Sequence, residues 1–191
     1  MKFSTSKNEL QQALQKLSKA TPTRSTLPIL SCVLITASNE KTTLRSTDLE
    51  LTIDLEISVS IEEEGSAAVP LKQLYDITNE LSETRITIIA DIKNKIEIKT
   101  NSGSYDLMGK QQEEFPATPK IEEKNKISIS GSIFKNIIDS TLFAVSKDDL
   151  KPSLTGVLFR FKNSGLTAVA TDGHRLVKIL KEDYKSESFV G

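Results

Sequence analysis

A chain of 191 residues with 37% hydrophobic and 27% charged side chains has the composition of a folded globular protein and excludes a disordered or fibrous one. Its 25 Lys and Arg against 26 Asp and Glu give a formal net charge of −1, which offers no case for nucleic acid unless basic residues gather on one face. The single cysteine, Cys32, excludes an intrachain disulfide framework and a multi-cysteine zinc site, and reads as a small buried filler in its apolar run.

Lys2 to Thr5 reads as a short strand. Ser6 with Glu9 three residues on has the capping-box spacing, and Leu10, Ala13, Leu14 and Leu17 follow at helical intervals. The opposite face, with Gln12, Gln15, Lys16 and Lys19, is polar and mildly basic. Pro22, Arg24 and Pro28 mark a loop, because proline cannot continue a helix and restricts the residue before it. Ile29 to Ile35 is nearly continuous in apolar residues and predicts a buried strand. From Leu49 to Glu62 apolar and polar residues alternate strictly, which predicts one long strand with an acidic outer face.

A strand over Ser66 to Val69 leads through Pro70 into a second helix with Leu71, Leu74, Ile77 and Leu81 on one stripe. Its polar surface carries Lys72 but also Asp76 and Glu80. Three more strands follow at Ile86 to Ala90, Lys95 to Lys99 and Ser104 to Met108, and the proline-bearing stretch after them reads as a connector. A strand over Lys126 to Ser130 and a helix with Phe134, Ile137, Ile138 and Thr141 inward come next, with Lys135 set against Asp139 on its polar side. Strands over Leu154 to Phe161, Leu166 to Thr171 and Arg175 to Lys181 complete the chain.

This order is a repeat. Adding 124 to the residue number pairs Ser4 with Ser128, Leu10 with Phe134, Ala20 with Ala144, Pro28 with Pro152 and Leu34 with Leu158, and Thr47-Asp48 with Thr171-Asp172. A period of this length means duplicated domains. The expected organisation is a first domain over 1–109, a connector over 110–125, and the first half of a second domain over 126–191.

The second copy departs from the first at Asp172-Gly173-His174-Arg175. Asp-Gly predicts a two-residue hairpin turn, and on its residues alone Thr171 to Leu176 is such a turn. The first copy has Leu49, Glu50 and Leu51 in place of Gly173, His174 and Arg175, so these three belong to the second copy only. His174 is the one histidine, and no nucleophile arrangement, glycine-rich phosphate loop or metal-ligand spacing accompanies it. Catalysis, a metal and a cofactor are therefore not expected. No run approaches the roughly 18 apolar residues of a membrane span and no secretory signal is present, so a cytoplasmic location without membrane partners is expected.

Met1-Lys2-Phe3, Thr26-Leu27-Pro28-Ile29-Leu30, Thr47-Asp48-Leu49-Glu50, Val69-Pro70, Phe115-Pro116 and Ala170-Thr171-Asp172-Gly173-His174-Arg175-Leu176, in that order, make the chain resemble the N-terminal portion of the bacterial sliding-clamp family, the beta subunits of replicative DNA polymerase III. The resemblance implies an α+β DNA-clamp fold. Each domain is then two β-α-β-β-β halves with helices on the inner face and antiparallel sheets outside, the second domain being incomplete. It implies a non-catalytic processivity factor that encircles double-stranded DNA as a homodimeric ring and tethers the polymerase, the clamp loader and repair proteins through short peptides. A scaffold of the same fold that binds proteins but not DNA is the alternative.

By the same resemblance Arg24, Lys72, Lys147 and Lys151 would touch DNA, although Arg24 on its own reads as a solvated loop arginine. Leu154, Thr171, Gly173, His174, Arg175 and Leu176 would form the partner-peptide pocket. Pro152 and Ser153 stand where clamps place aromatic residues, which weakens the case for stacking on nucleic acid by this loop. Ring closure in the family uses a third domain, so this chain by itself is expected to be a monomer or to associate through an exposed sheet edge.

Overall fold

The computed structural model describes residues 1–22, 26–38, 41–82, 84–117, 127–162, 165–182 and 184. It divides into two compact units, Met1–Pro119 and Lys120–Gly191.

In the first unit, β1 (Lys2–Ser6) runs into α1 (Lys7–Leu17) through Ser6, whose hydroxyl accepts the N–H of Glu9 at 3.2 Å. That bond satisfies one of the donors a helix start leaves free. The Glu9 carboxylate does not close the box; it accepts the N–H of Ser58 at 3.2 Å. The four stripe residues Leu10, Ala13, Leu14 and Leu17 are all buried, as the spacing predicts. Each fully buried leucine contributes roughly 1.5–3 kcal/mol over an exposed one. The strands β2 (Cys32–Ser38), β3 (Lys41–Thr47), β4 (Thr52–Ile57) and β6 (Gly65–Pro70) form an antiparallel sheet in the order β4-β3-β2-β6. A second antiparallel sheet has the order β5-β1-β7-β8-β9, with β5 (Ser60–Glu63), β7 (Arg85–Ala90), β8 (Lys95–Thr100) and β9 (Gly103–Met108). The helix α2 (Leu71–Glu80) buries Leu71, Leu74 and Thr78 and is tied to α1 by Gln11 Nε2 donating to Asn79 Oδ1 at 2.8 Å. Side chains of both helices and both sheets share one core.

Several expectations need correction here. The alternating run from Leu49 to Glu62 is not one strand: Leu49 and Leu51 lie exposed in a turn, and the rest is β4 and β5, which belong to different sheets. The chain changes sheets at Ser58-Val59, where Thr5 Oγ1 donates to the carbonyl of Ser58 at 3.0 Å, so the period-2 pattern persists across a break in the ladder. The acidic outer face is real, with Asp54 and Glu56 paired to Arg45 and Lys41 across the sheet. Pro28 starts a 3-10 turn over Pro28–Ser31, so the apolar run begins as a turn and becomes a strand only at Cys32. The stretch read as a connector begins as part of the first unit. Lys110 exchanges backbone hydrogen bonds with Ala68, and Phe115 is buried with Ile29, Leu30, Cys32 and Ala68.

In the second unit, α3 (Gly131–Thr141) is followed by a 3-10 turn over Leu142–Ala144, another over Pro152–Leu154, and the antiparallel sheet β10 (Leu158–Lys162), β11 (Gly165–Thr171), β12 (Leu176–Lys181). The repeat holds to the residue. Adding 124 to the bounds of α1, β3 and β4 gives those of α3, β11 and β12, and adding it to the pair Leu34↔Arg45 gives Leu158↔Val169.

Three expectations for this unit fail. Residues 127–130 form no strand. In the first unit β1 is held between β5 and β7; of the positions 124 residues beyond β5 only Tyr184 is described, and its hydroxyl donates to the carbonyl of Ser128 at 2.8 Å. Of the four α3 positions expected inward, Ile137 and Thr141 are buried, Ile138 is half-buried, and Phe134 is exposed and stacks on Phe159 with ring centroids 5.5 Å apart. The strand expected from Leu154 likewise starts only at Leu158.

Candidate functional site

The turn between β11 and β12 has four residues, Asp172 to Arg175, and not two. Its shape comes from side chains. Asp172 Oδ1 accepts the N–H groups of His174 and Arg175 at 2.9 and 3.0 Å, while Thr171 Oγ1 accepts the N–H of Gly173 at 3.1 Å and donates to the carbonyl of Arg175 at 2.6 Å. Only Gly173 has positive φ, +92°, whereas the two-residue turn that Asp-Gly predicts needs both central residues there. The turn between β3 and β4 is built the same way. Asp48 Oδ1 accepts from Glu50 and Leu51 at 3.0 and 2.6 Å, Thr47 Oγ1 bonds Leu49 and Leu51, and Leu49 sits at φ +82°.

What the second turn adds is Arg175. Its Nε donates to Asp172 Oδ2 at 2.8 Å, and its guanidinium carbon lies 5.7 Å from the centroid of the Phe143 ring. The backbone donors of His174 and Arg175, followed by the guanidinium, lower the Asp172 pKa from 3.8 to about 2. A carboxylate that accepts several hydrogen bonds is stabilised in its charged form.

A cleft of about 880 Å³ opens beside this turn. The turn contributes Asp172, His174 and Arg175 to its lining, and Leu142, Phe143 and the loop bearing Lys147, Asp148 and Lys151 contribute most of the rest. That loop is held by its own hydrogen bonds. Ser146 N–H donates to the carbonyl of Leu154 at 2.8 Å, Lys151 N–H to that of Asp148 at 3.0 Å, and Leu150 N–H to Asp148 Oδ1 at 3.0 Å. Asp172 is paired with Arg175, and no ion pair engages Lys147 or Lys151 among the described residues, so the cleft carries two free ammonium groups beside exposed apolar surface from Leu142 and Phe143. Such a surface suits an extended chain that offers carbonyl or carboxylate oxygens next to apolar side chains.

The sequence-derived residues are thus redistributed. Lys147 and Lys151, expected at DNA, and His174 and Arg175, expected at a peptide, line the same cleft. Thr171 and Gly173 shape the turn without lining it. Leu154 is half-buried in its 3-10 turn and Leu176 is 65% exposed at the start of β12; neither lines the cleft. Lys72 lies in the first unit, exposed on α2 and paired with Asp76 at 2.7 Å. Arg24 lies outside the described residues. Phe143 and Asp172 were not singled out by sequence reasoning as binding residues. The available signal was the repeat, which places Lys19 where Phe143 stands and Leu51 where Arg175 stands.

Among the described residues no group of acidic, histidine or cysteine side chains is arranged to hold a metal ion, and no helix is long and apolar enough to cross a membrane.

Comparison with known proteins places this geometry. The family model of the DNA polymerase III beta subunit, N-terminal domain, matches residues 1–119, and that of the central domain of the same subunit matches residues 128–188. The beta sliding clamp of Chlamydia pneumoniae is 31% identical over 191 residues, covering 100% of this chain and 52% of its own length. That of Bacillus subtilis is 33% identical, covering 92% and 49%. Among solved structures, the Bacillus subtilis sliding clamp superposes with a TM-score of 0.88 at 31% identity over 97% of this chain and 52% of that one. The sliding clamp of Bartonella birtlesii bound to griselimycin gives 0.91 at 30% identity over 97% and 50%. The chain spans about half the length of the curated relatives it matches.

Proposed function

We propose, for a chain that belongs to the DNA polymerase III beta subunit family, that it serves as part of a DNA sliding clamp: a non-catalytic, cytoplasmic processivity factor without cofactors. Residues 1–109 would be its first clamp domain, 110–125 a connector whose start is packed on that domain, and 126–191 the first half of its second. The observation that carries this reading is the repeated module of helix, turn and three antiparallel strands, in which the bounds of the helix and of the last two strands, and the register of all three, recur 124 residues on. The two copies fall in successive domains of one family.

A clamp holds its polymer by enclosure, so it needs only weak, salt-sensitive phosphate contacts. Arg24, Lys72, Lys147 and Lys151 are the residues proposed for them. A homodimeric ring around duplex DNA would tether the polymerase, clamp loader and repair proteins, whose short peptides would dock along the cleft and the β11–β12 turn with Leu154, Thr171, Gly173, His174, Arg175 and Leu176. Griselimycin, which the Bartonella birtlesii relative binds, is proposed to take the same place. Exposed turns flanked by alternating side chains are suited to extended ligands.

One observation favours a second reading, a scaffold that binds proteins only. Lys72 on α2 and Lys135 on α3 spend their charge on Asp76 and Asp139 within the same helix. Retention on nicked circular duplex separates the two. With clamp loader and ATP, the full-length clamp of which this chain would be a part is expected to stay on the circle through gel filtration at raised salt and to leave when a restriction enzyme linearises it. Equal retention on circular and linear DNA would remove the topological tether, and no retention together with intact peptide binding would establish the scaffold.

A further inference from the structure

Resting on the reading of this cleft as a peptide site, we infer that Asp172 is a positioning residue and Phe143 a binding platform, which together hold the Arg175 guanidinium as a fixed wall of the cleft.

The repeat supplies the internal control. Both units build the same turn, with an aspartate Oδ1 accepting two backbone N–H groups and a threonine hydroxyl bonding the turn on both sides. That shared part is what the fold requires. In the first unit the residues equivalent to Phe143 and Arg175 are Lys19 and Leu51, so its aspartate has no guanidinium to grip and no aromatic ring to set beneath one. In the second unit the remaining oxygen, Asp172 Oδ2, takes Arg175 Nε at 2.8 Å, and the guanidinium stands 5.7 Å from the Phe143 centroid. Turn formation explains neither contact.

Their chemical effect follows from the geometry of guanidinium. An arginine has five N–H donors in a rigid plane. The Nε–H is used on Asp172, which fixes the plane and leaves the two terminal nitrogens for an oxygen acceptor of a bound peptide. Cation–π attraction holds the guanidinium over the ring, and the aspartate adds a charge-assisted bond. The rotamer freedom of a long side chain, otherwise lost on binding, is then lost beforehand, which favours affinity. Phe143 is 58% exposed, so its ring also offers apolar surface to the same ligand.

Griselimycin titration of the 191-residue chain and a double-mutant cycle test this. Asp172→Asn keeps an oxygen for the backbone N–H groups and removes the ionic grip on Arg175. It is expected to weaken binding about fivefold in the parent chain and less than twofold when Arg175 is already alanine. Asp48→Asn makes the same change in the first turn and is expected to leave affinity unchanged. NMR supplies a readout independent of ligand: a resolved, slowly exchanging Arg175 Nε–H signal, lost in Asp172→Asn, and ring-current shifts of the Arg175 side chain, lost in Phe143→Leu. Additive losses in the cycle, or an Arg175 signal at the position of free arginine, would overturn the inference. If the arginine signature is present but the parent chain does not bind griselimycin, the peptide-site reading falls and the positioning role with it.

Discussion

Leu10 and Phe134 stand at the same position of the same helix in the two units, yet Leu10 is 0% exposed and Phe134 is 42% exposed. The neighbouring pair repeats the contrast, with Leu14 fully buried and Ile138 only half-buried. The local pattern is the same in both. What differs is the company: α1 packs beside α2 over a core closed by two sheets, whereas the core around α3 gathers Ile137, Leu166 and Ala168 over three strands. A helical stripe states which residues can be buried together, and the elements around it decide how many are. The backbone shows that the repeat survives this difference, since helix bounds and strand register are conserved while burial is not.

The largest expected effect breaks this comparison open. Leu10→Ala empties a filled site and is expected to cost about 3 kcal/mol, within the usual range for large-to-small core changes. Phe134→Ala loses surface that water already reaches and is expected to cost about 1 kcal/mol. Hydrogen exchange in graded urea, read separately for the amides of each unit, measures both without assuming that the units unfold together. Equal costs would mean that the two helices are equally enclosed.

A smaller effect concerns the turns. Leu49 holds φ +82° with an L side chain, and Gly173 holds φ +92° without one. Left-handed backbone costs a residue with a Cβ roughly 1–2 kcal/mol, partly offset because glycine is more mobile in the unfolded chain. Leu49 is also exposed, so little packing is lost with it. Leu49→Gly is therefore expected to raise stability by up to about 1 kcal/mol, and Gly173→Ala to lower it by about the same amount. A Cβ at Gly173 meets nothing within 4 Å, so the loss would be conformational and not a clash. Opposite signs in chemical denaturation confirm that the two turns are one structure; a loss at both would show that the leucine side chain has a role of its own.

The parts of this fold legible in the sequence are those whose cause is local. The Ser6 cap and the Leu10, Ala13, Leu14, Leu17 spacing specify α1, and the 124-residue offset carries α1, β3 and β4 onto α3, β11 and β12. The long alternation from Leu49 to Glu62 misleads because period 2 says which side a residue faces and not which sheet the strand has joined. The cleft was half legible. His174, Arg175, Lys147 and Lys151 could be singled out, but their meeting depends on a turn and a loop more than 20 residues apart in sequence. Phe143 follows a helix in an apolar run, and nothing in its spacing distinguishes a cleft wall from a core residue. Leu154 and Leu176, which the resemblance assigns to the peptide pocket, do not line this cleft.

The aspartates give the finest comparison, because they differ by a single partner. Asp48 and Asp172 each accept two backbone N–H bonds through Oδ1, and in both the pKa is lowered, first by those backbone donors. Asp172 has in addition the guanidinium of Arg175, and its pKa falls to about 2. The sign is that of a depressed carboxyl: the turn's stabilisation is complete above the unfolded value near 3.8 and is lost as pH falls through about 2. Carboxyl NMR titration is expected to find Asp172 ionising at lower pH than Asp48, and to bring the two together when Arg175 is replaced by leucine, the residue its counterpart already has. If the order is reversed, or survives Arg175→Leu unchanged, the guanidinium is not what separates the two turns, and the backbone donors alone set both.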